Sequence, residues 1–243
     1  MALPKLAQPT YEAVIPSTKK KIKYRPMLVK EEKVLLMAKQ SGQTNEHFSS
    51  ILQIVEACIL TEGIDVSQLS LVDISYLFTQ IRANSISNMV KVFYLDPDEQ
   101  EKFGEEAKPH EFELDLLKVT VTEAAQKPEI DLGNDVVMTL RYPPISIYTK
   151  SEFFDLADEE VLTAVTVACM DKIYQGETVH NCKDSTKEEL QEYVANLPAK
   201  VWPELEKFFA GIPTLFYEIK FTNKLGKERK LPLKTLDDFF MFG

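Results

Sequence analysis

The spacing of apolar residues changes several times along this chain, and each change predicts a different element. Residues typical of β-strands extend from Tyr11 to Ile15 and from Ile22 to Met27, with apolar and polar residues alternating over Ile22–Arg25. The residues between them, 16–20, read Pro-Ser-Thr-Lys-Lys, a composition typical of turns. Two such segments on either side of a turn predict an N-terminal β-hairpin.

Helical spacing replaces the alternation at Lys30, where Glu31 and Glu32 occupy a first helical turn and complement the helix dipole. Apolar residues recur every three or four positions in the next two segments as well, which predicts a cluster of three helices. These are a helix that starts at Lys30 with Val34, Leu35 and Met37 facing inward, a helix over 45–61, and a helix that starts at Ser70 with a capping box of Ser70 and Asp73.

Alternation returns at Met89 and predicts two antiparallel strands joined by the acidic segment 96–109. The carboxylates Asp96, Asp98 and Glu99 open this segment, but the glycine and spacing of a calcium-binding EF-hand loop are missing. The segment is therefore interpreted as a solvated loop. Two further short strands are predicted at 129–132 and 136–142.

The last third of the chain begins with helical spacing near Ser151, which predicts a helix whose apolar stripe ends near Gly176. A capping box at 185–188 starts another helix, and a helix containing Leu205 and Phe208 follows it. A terminal β-hairpin is predicted at 215–221 and 229–233. The chain then ends in an apolar tail, LKTLDDFFMFG, which we expect to dock on the protein's own core or on a partner.

Together these elements predict an α+β fold. It contains an N-terminal β-hairpin followed by a helical cluster, a central antiparallel β segment with an acidic loop, and C-terminal helices with a terminal β-hairpin. The corresponding segments are 1–88, 89–150 and 151–243. A chain of 243 residues is long enough to build a proper core, so we expect these segments to pack as one or two compact units.

Composition narrows the class of partner. The net charge of -10 disfavours nucleic acid, because proteins that bind it cluster Lys and Arg against the phosphates. The basic cluster of Lys19–Lys21, Lys23 and Arg25 is interpreted as a solvated hairpin edge. No apolar run approaches the about 20 residues that cross a bilayer, so no membrane is expected. Three widely spaced cysteines and no apolar signal stretch predict a reduced, cytoplasmic protein.

Candidate chemistry is sparse, since the sequence contains none of the phosphate-loop, zinc-helix or nucleophile-elbow motifs. His180 and Cys182 are the closest pair of reactive residue types, so a small hydrolase or metal enzyme that uses them is one alternative function. Their spacing in a polar loop offers no third residue to orient a base, and a zinc site needs about four ligands. We therefore predict no enzyme activity, no catalytic residue, no cofactor and no metal.

Aromatic residues give the best interaction signal, because they bury a large area with few torsions. Trp202 is interpreted as a core residue beside Phe208 and Phe209. The remaining candidates are the joint after the first hairpin and the aromatic tail. The predicted protein-binding residues are Tyr24, Arg25, Pro26, Phe239, Phe240 and Phe242.

The amino-acid sequence of several segments resembles one known family. The stretch TYEAVIPSTKKKIKYRPMLVKEEKVLLMA at 10–38 is similar to the opening of the T4-like phage baseplate hub proteins, in which a hairpin precedes a Tyr/Phe-Arg-Pro-x-Leu-Val-Lys-Glu-Glu-Lys run. The similarity continues in DISYLFTQIRANSIS at 73–87, DKIYQGETVH at 171–180 and LKTLDDFF at 233–240. It covers nearly the full length, and the acidic segment 96–109 matches least.

The resemblance implies a non-enzymatic role in building the central baseplate hub of a contractile phage tail. It implies other hub or tail proteins as partners, and the cytoplasm of the infected host during late tail assembly as the place of action. Two roles stay open: a transient assembly chaperone, or a permanent structural subunit of the virion baseplate hub.

The resemblance also raises the question of a metal. Some relatives carry cysteine pairs in their two β-hairpins that look like zinc-ribbon knuckles. The matching segments here, 96–110 and 222–230, contain no cysteine. A metal role is therefore not carried over to this chain.

Overall fold

The computed structural model of the chain describes residues 6–240, and within that range it contains nine α-helices and eleven β-strands. The helices are α1 (Val29–Ser41), α2 (Thr44–Cys58), α3 (Leu71–Ala83), α4 (Pro97–Phe103), α5 (Ser151–Phe154), α6 (Asp158–Cys169), α7 (Lys187–Ala195), α8 (Trp202–Ala210) and α9 (Leu236–Phe240). The strands are β1 (Tyr11–Val14), β2 (Lys21–Tyr24), β3 (Met89–Tyr94), β4 (His110–Asp115), β5 (Thr120–Val121), β6 (Glu129–Gly133), β7 (Val136–Leu140), β8 (Met170–Gln175), β9 (Thr178–Asn181), β10 (Leu215–Thr222) and β11 (Glu228–Leu233).

The strands form four small sheets, and every pairing is antiparallel. Strands β1 and β2 form one hairpin, and β3 and β4 form a two-stranded ribbon. The order is β11-β10-β5 in the third sheet and β6-β7-β8-β9 in the fourth. The predicted α+β fold with an N-terminal hairpin is confirmed.

The chain divides into two compact units. The first unit contains the chain up to Val66, then Val72–Thr122 and the chain from Thr214 onward, whereas the second contains Ser67–Leu71 and Glu123–Pro213. This division does not coincide with the boundaries expected at 88 and 150. The terminal hairpin and the N-terminal hairpin lie in the same unit.

In the first unit, the strand from which the chain leaves pairs with the strand to which it returns. Strand β5 pairs with the start of β10, so that Val121 lies opposite Leu215. The backbone N–H of Thr122 donates to the carbonyl of Thr214 at 2.9 Å, and the N–H of Thr214 donates back to Oγ1 of Thr122 at 3.0 Å. The larger segment of the second unit, Glu123–Pro213, is therefore an insertion that starts and ends at neighbouring strands of the first unit.

The N-terminal hairpin lies over the helices of the first unit. Alternation puts Ile22 and Tyr24 of β2 in the core, with Ile15 after β1, and the lysines between them outward. The chain that follows α2 then runs along β2, because the N–H of Leu60 donates to the carbonyl of Lys23. The facing side of α2 and most of α3 complete this core.

One helix packs differently from its prediction. The expected inward face of α1 included Met37, but Met37 is exposed, and Val34 and Leu35 are only half-buried. The side of α1 that faces the core instead carries Glu31 and Ala38. The buried carboxylate of Glu31 needs a hydrogen-bond partner, and Arg25 is that partner.

The second unit has its own core between its sheet and its helices. Its largest buried side chains include Met138 from β7, and Leu205 and Phe208 from α8. Trp202 packs partly buried against this cluster, as its sequence context predicted. Thr186 and Glu189 form the capping box of α7, one residue later than predicted.

The prediction of a helix that ends near Gly176 is wrong. Helix α6 ends at Cys169, and the next six residues form β8, in which Ile173 pairs with Met138. Gly176 turns the chain into β9 with a positive φ of 57°. A residue with a side chain adopts such a φ only under strain. The apolar residues of β8 continue the helical spacing of α6, so periodicity alone did not separate the two.

No helix within the described range of the chain has the length and apolar composition needed to cross a bilayer.

The turn of the N-terminal hairpin is fixed to α3 by one carboxylate. Asp73 was predicted to cap its own helix, and its buried carboxylate accepts from the backbone N–H of Ser17 at 2.8 Å and from Ser17 Oγ at 2.6 Å. Removing the hydroxyl leaves one of these acceptor oxygens without that donor. We expect Ser17→Ala to lower the free energy of unfolding by about 1–3 kcal/mol in urea titrations.

The matched control is Thr18→Ala, next to it in the same turn, because Thr18 is exposed as Ser17 is but its hydroxyl accepts a long bond of 3.4 Å from the exposed N–H of Lys20. It should change the free energy of unfolding by less than about 0.5 kcal/mol. Equal losses in the two variants would contradict the assigned role of the Ser17–Asp73 contact.

Candidate functional site

The predicted binding residues Tyr24, Arg25 and Pro26 lie at the joint between β2 and α1. Tyr24 and Pro26 are buried, and the Tyr24 hydroxyl accepts from the Asn84 side chain at 2.9 Å. Burial raises the pKa of Tyr24 to about 12, so the phenol stays neutral. These side chains hold the hairpin against the helices in this structure.

Arg25 connects three elements at this joint. Its guanidinium donates to Glu31 Oε1 at 3.0 Å and to the carbonyl of Ala57 at 2.8 Å, near the negative end of α2. Burial by itself raises the pKa of Glu31, but the bonds from Arg25 and from the N–H of Leu28 outweigh burial, so the net pKa is lowered. Glu31 is thus the partnered carboxylate on the buried side of α1.

The aromatic tail folds back onto the first unit. Phe239 of α9 is 1% exposed, and the Phe240 ring meets the Phe78 ring edge-on with centroids 5.6 Å apart. Phe242 lies outside the described residues. The sequence left open whether the tail docks on the protein's own core or on a partner, and Phe239 packs in the core.

A charged cluster that the sequence did not reveal joins α4 to the terminal hairpin. Asp96 is fully buried, and Oδ2 of its carboxylate accepts from Arg229 Nε at 2.8 Å. The Arg229 guanidinium also binds Asp98, which pairs with Lys227 as well. The hydrogen bond from Arg229 is the main reason why the pKa of Asp96 falls to about 2. Asp98 has a lowered pKa because Lys227 and then Arg229 donate to it.

Glu99 forms the second half of this cluster and is also fully buried. Its Oε1 accepts from His110 Nε2 at 2.8 Å and from the backbone N–H of Lys224 at 2.6 Å. The ammonium of Lys224 lies 3.6 Å from Oε2. Burial alone raises the pKa of Glu99, but the bonds from Lys224 and His110 outweigh burial, so the pKa is lowered and the carboxylate stays charged.

Asn223 shapes the turn that brings the cations to these carboxylates. Its buried side chain donates to Asp96 Oδ1 at 3.1 Å and accepts from the backbone N–H groups of Leu225 and Lys227. One residue therefore organises the β10–β11 turn and attaches it to α4. Gly226 has a positive φ of 79° in this turn.

The interpretation of 96–109 as a solvated loop is wrong for its start, where Asp96 and Glu99 are buried, whereas residues 100–106 are exposed. Residues Pro97–Phe103 form α4, and the Asp96 side chain caps it by accepting from the N–H groups of Asp98 and Glu99. An Asp followed by Pro and two acidic residues is a recognisable helix start, so this signal was present in the sequence. The partner Arg229 was not predictable, because 133 positions separate it from Asp96.

The cluster joins the two segments for which the resemblance raised the question of a metal, and its residues do not fit a zinc ion. The carboxylates of Asp96 and Glu99 already bind Arg229, Asn223 and Lys224. Within residues 6–240 no group of three His, Cys, Asp or Glu side chains is arranged to hold a metal. Direct ion pairs and hydrogen bonds join the two loops instead.

The alternative chemistry at His180 and Cys182 gains no support from the geometry. Cys182 is buried, whereas His180 is exposed on β9. Burial raises the pKa of the Cys182 thiol, and a protonated thiol is a poor nucleophile. Cys58 and Cys169 are buried as well, and burial raises their pKa values to about 11 and about 12.

Comparison with known proteins identifies the family. The family described as T4 bacteriophage base plate protein matches residues 8–241, which include nearly all of both units. This chain belongs to that family. No curated protein and no solved structure matches the chain.

Membership gives the base plate protein a structural or assembly role in the baseplate of a bacteriophage, among other baseplate proteins. The resemblance noted in the sequence is thereby confirmed at the level of the baseplate.

The charged cluster makes the stability of this base plate protein sensitive to acid. A carboxyl group whose pKa is lowered by folding stabilises the fold above its unfolded pKa of about 4, and this contribution is lost as the pH falls through the folded pKa. For Asp96 the loss therefore extends from about pH 4 down to about pH 2. Arg229→Gln removes the main cause of the shift. We expect it to lower the melting temperature at pH 7 and to move acid unfolding to higher pH.

Lys220→Gln is the matched control for this variant. Lys220 lies on β10 and pairs with Glu218 at 3.2 Å at the surface, where an ion pair contributes little. Melting curves from pH 7 to pH 2 should therefore be close to those of the unmodified protein. An Arg229→Gln variant that unfolds at the same pH as this control would argue against the buried pair.

The tail gives a second test of the site. We expect Phe239→Ala to cost about 3–5 kcal/mol of unfolding free energy, because it leaves a cavity where a fully buried ring packs. Phe93→Ala is the matched control, because this ring on β3 is 46% exposed, and it should cost under about 1 kcal/mol. A small loss in Phe239→Ala would show that the tail does not belong to the core.

Proposed function

We propose that this base plate protein is a non-enzymatic protein-interaction factor for assembly of the central baseplate hub of a contractile phage tail. The observation that carries the proposal is the family match over 8–241, because a match over both units includes the whole fold rather than one shared motif. The alternative within the same family is a permanent structural subunit of the virion baseplate hub.

The assignment to the hub rests on the segments that resemble hub proteins. The segment 73–87 contains most of α3, and 233–240 contains α9. In the first unit these segments meet, since Phe78 contacts Phe240. The resemblance therefore extends to residues that pack together, which supports a shared fold for the first unit.

The partner-binding role of Tyr24, Arg25, Pro26, Phe239, Phe240 and Phe242 remains part of this proposal. Tyr24 and Phe239 are too deeply buried to contact a partner directly in this structure. Their contribution would come from holding the hairpin and α9 in place. Substitutions at these positions are expected to reduce stability and partner binding together.

In this proposal the protein acts as an assembly chaperone, a late protein in the cytoplasm of the infected host. Its partners are hub or tail proteins, with no nucleic acid, membrane or cofactor involved. The net charge of -10 agrees with a partner that is not nucleic acid.

Quantitative analysis of phage particles tests the proposal. The copy number of the chain is measured in purified mature tails and in hub intermediates isolated from infected cells. An assembly factor is expected to be present in the intermediates and absent from mature tails. A fixed copy number in mature tails would replace the assembly factor with the permanent subunit. Absence from both fractions would contradict both roles.

A further inference from the structure

Strand β9 forms one edge of the four-stranded sheet in the second unit. The order β6-β7-β8-β9 leaves one side of β9 without a neighbouring strand, and all four of its residues are exposed. An edge strand presents unpaired backbone N–H and C=O groups, which can pair with a strand of another chain. The register of the sheet determines which residues of β9 present these groups.

The backbone groups of Val179 and Asn181 point away from the sheet. Successive residues of an antiparallel strand turn their N–H and C=O groups to opposite sides. The N–H of Gly176 donates at 3.1 Å to a carbonyl beside β7, so the preceding residue, Gln175, bonds with its partner Thr178 on β9. The next residue, Val179, and Asn181 two positions later therefore turn their backbone groups to the open side of the edge.

This edge lacks the features that keep other edges from pairing. Strand β6, at the opposite edge of the same sheet, carries Glu129 and Asp131 and has an irregular register between Asp131 and Gly133. Charged residues and bulges of this kind prevent edge-to-edge contact. Strand β9 has the sequence TVHN, with no lysine, no proline and an unbroken register, and its Val179 is 47% exposed. It is therefore open to another strand.

The charges at the two ends of β9 complement one another when the strand is paired with itself. Glu177 lies three positions before His180 and Lys183 three positions after it, and both are exposed. Antiparallel pairing of two copies about His180 places Glu177 of each opposite Lys183 of the other, and Val179 opposite Asn181. Centring on Val179 instead would leave the two charges without counterparts. Within residues 6–240 neither charge has an ion pair.

We propose that two copies of this chain associate by antiparallel pairing of β9 with β9, with His180 facing its own counterpart. Val179 of each copy exchanges backbone hydrogen bonds with Asn181 of the other. The Asn181 carbonyl also begins the short turn Cys182–Asp184, but a carbonyl has two lone pairs and can accept both bonds. The contact uses the same residues on both sides, so it closes at a dimer. It concerns self-association and does not depend on the proposed role in hub assembly.

The expected affinity is low, because the paired strands are short. Two four-residue strands cover much less than the about 800 Å² per partner of a standard interface, so we expect a dissociation constant on the order of 0.1 mM. Sedimentation velocity of the full chain from about 0.01 to about 1 mM, at low salt, measures the association. A protein that stays monomeric over this range would overturn the proposal.

The outward N–H of Val179 is the first target. Val179→Pro removes this donor but leaves the pairing of β9 with β8, because a proline is tolerated on an edge strand where the N–H faces solvent. We expect it to weaken dimer formation by about tenfold or more. Val179→Thr is the matched control, since it keeps the N–H and the shape of the side chain, and it should associate like the unmodified protein. Equal association of these two variants would contradict the pairing.

The charged ends test the same contact without changing the strand. Glu177→Lys places like charges opposite each other at both ends of the pair, and we expect it to weaken the dimer by about threefold to tenfold. Adding Lys183→Glu to the same chain restores opposite charges and should restore the dimer. The double variant has the net charge of the unmodified protein, so its recovery is not a general charge effect. Far-ultraviolet circular dichroism should show every variant to be folded, and a double variant that stays as weak as Glu177→Lys would overturn pairing about His180.

Discussion

The first unit depends on carboxylates that are buried and ionised at the same time. An ionised group costs several kcal/mol to remove from water unless other groups replace the lost hydrogen bonds. Asp96 and Glu99 depend on the β10–β11 hairpin for a large part of these bonds, because it supplies Arg229 and the backbone N–H of Lys224, while His110 of β4 also binds Glu99. The hairpin cannot separate from α4 without leaving buried charge unpaired. The cluster therefore specifies where the last part of the chain must lie.

Patterns of neighbouring residues were sufficient to predict several helices and strands. The N-terminal hairpin, α2 and the terminal hairpin were predicted from alternation, helical spacing and turn residues, and each is present. The boundary at Cys169 was missed because β8 extends the apolar spacing of α6 without an intervening glycine or proline. The outward position of Met37 was missed because apolar residues on a helix were assumed to mark its buried side.

The candidate site was harder to predict than the fold, for a physical reason. A carboxylate in a sequence is most simply solvated, and whether it is buried depends on cations that the chain folds next to it. Nothing near Asp96 indicates Arg229, and nothing near Asp73 indicates Ser17. Tyr24 and Phe239 stood out as aromatic residues, but the same property that favours interfaces also favours cores. Their burial shows that composition alone does not distinguish these two roles.

The insertion of the second unit has a consequence for the order of events during synthesis. Residues 123–213 are translated between the two halves of the first unit, so Asp96 and Glu99 leave the ribosome long before Arg229 exists. The sheet and helices of the second unit have all their partners while the first unit still lacks β10, β11 and α9. Until the segment from Thr214 onward is made, the nascent first unit thus exposes the apolar surface that this segment covers and leaves Asp96 without Arg229. That surface is open to premature contacts with other chains throughout this interval.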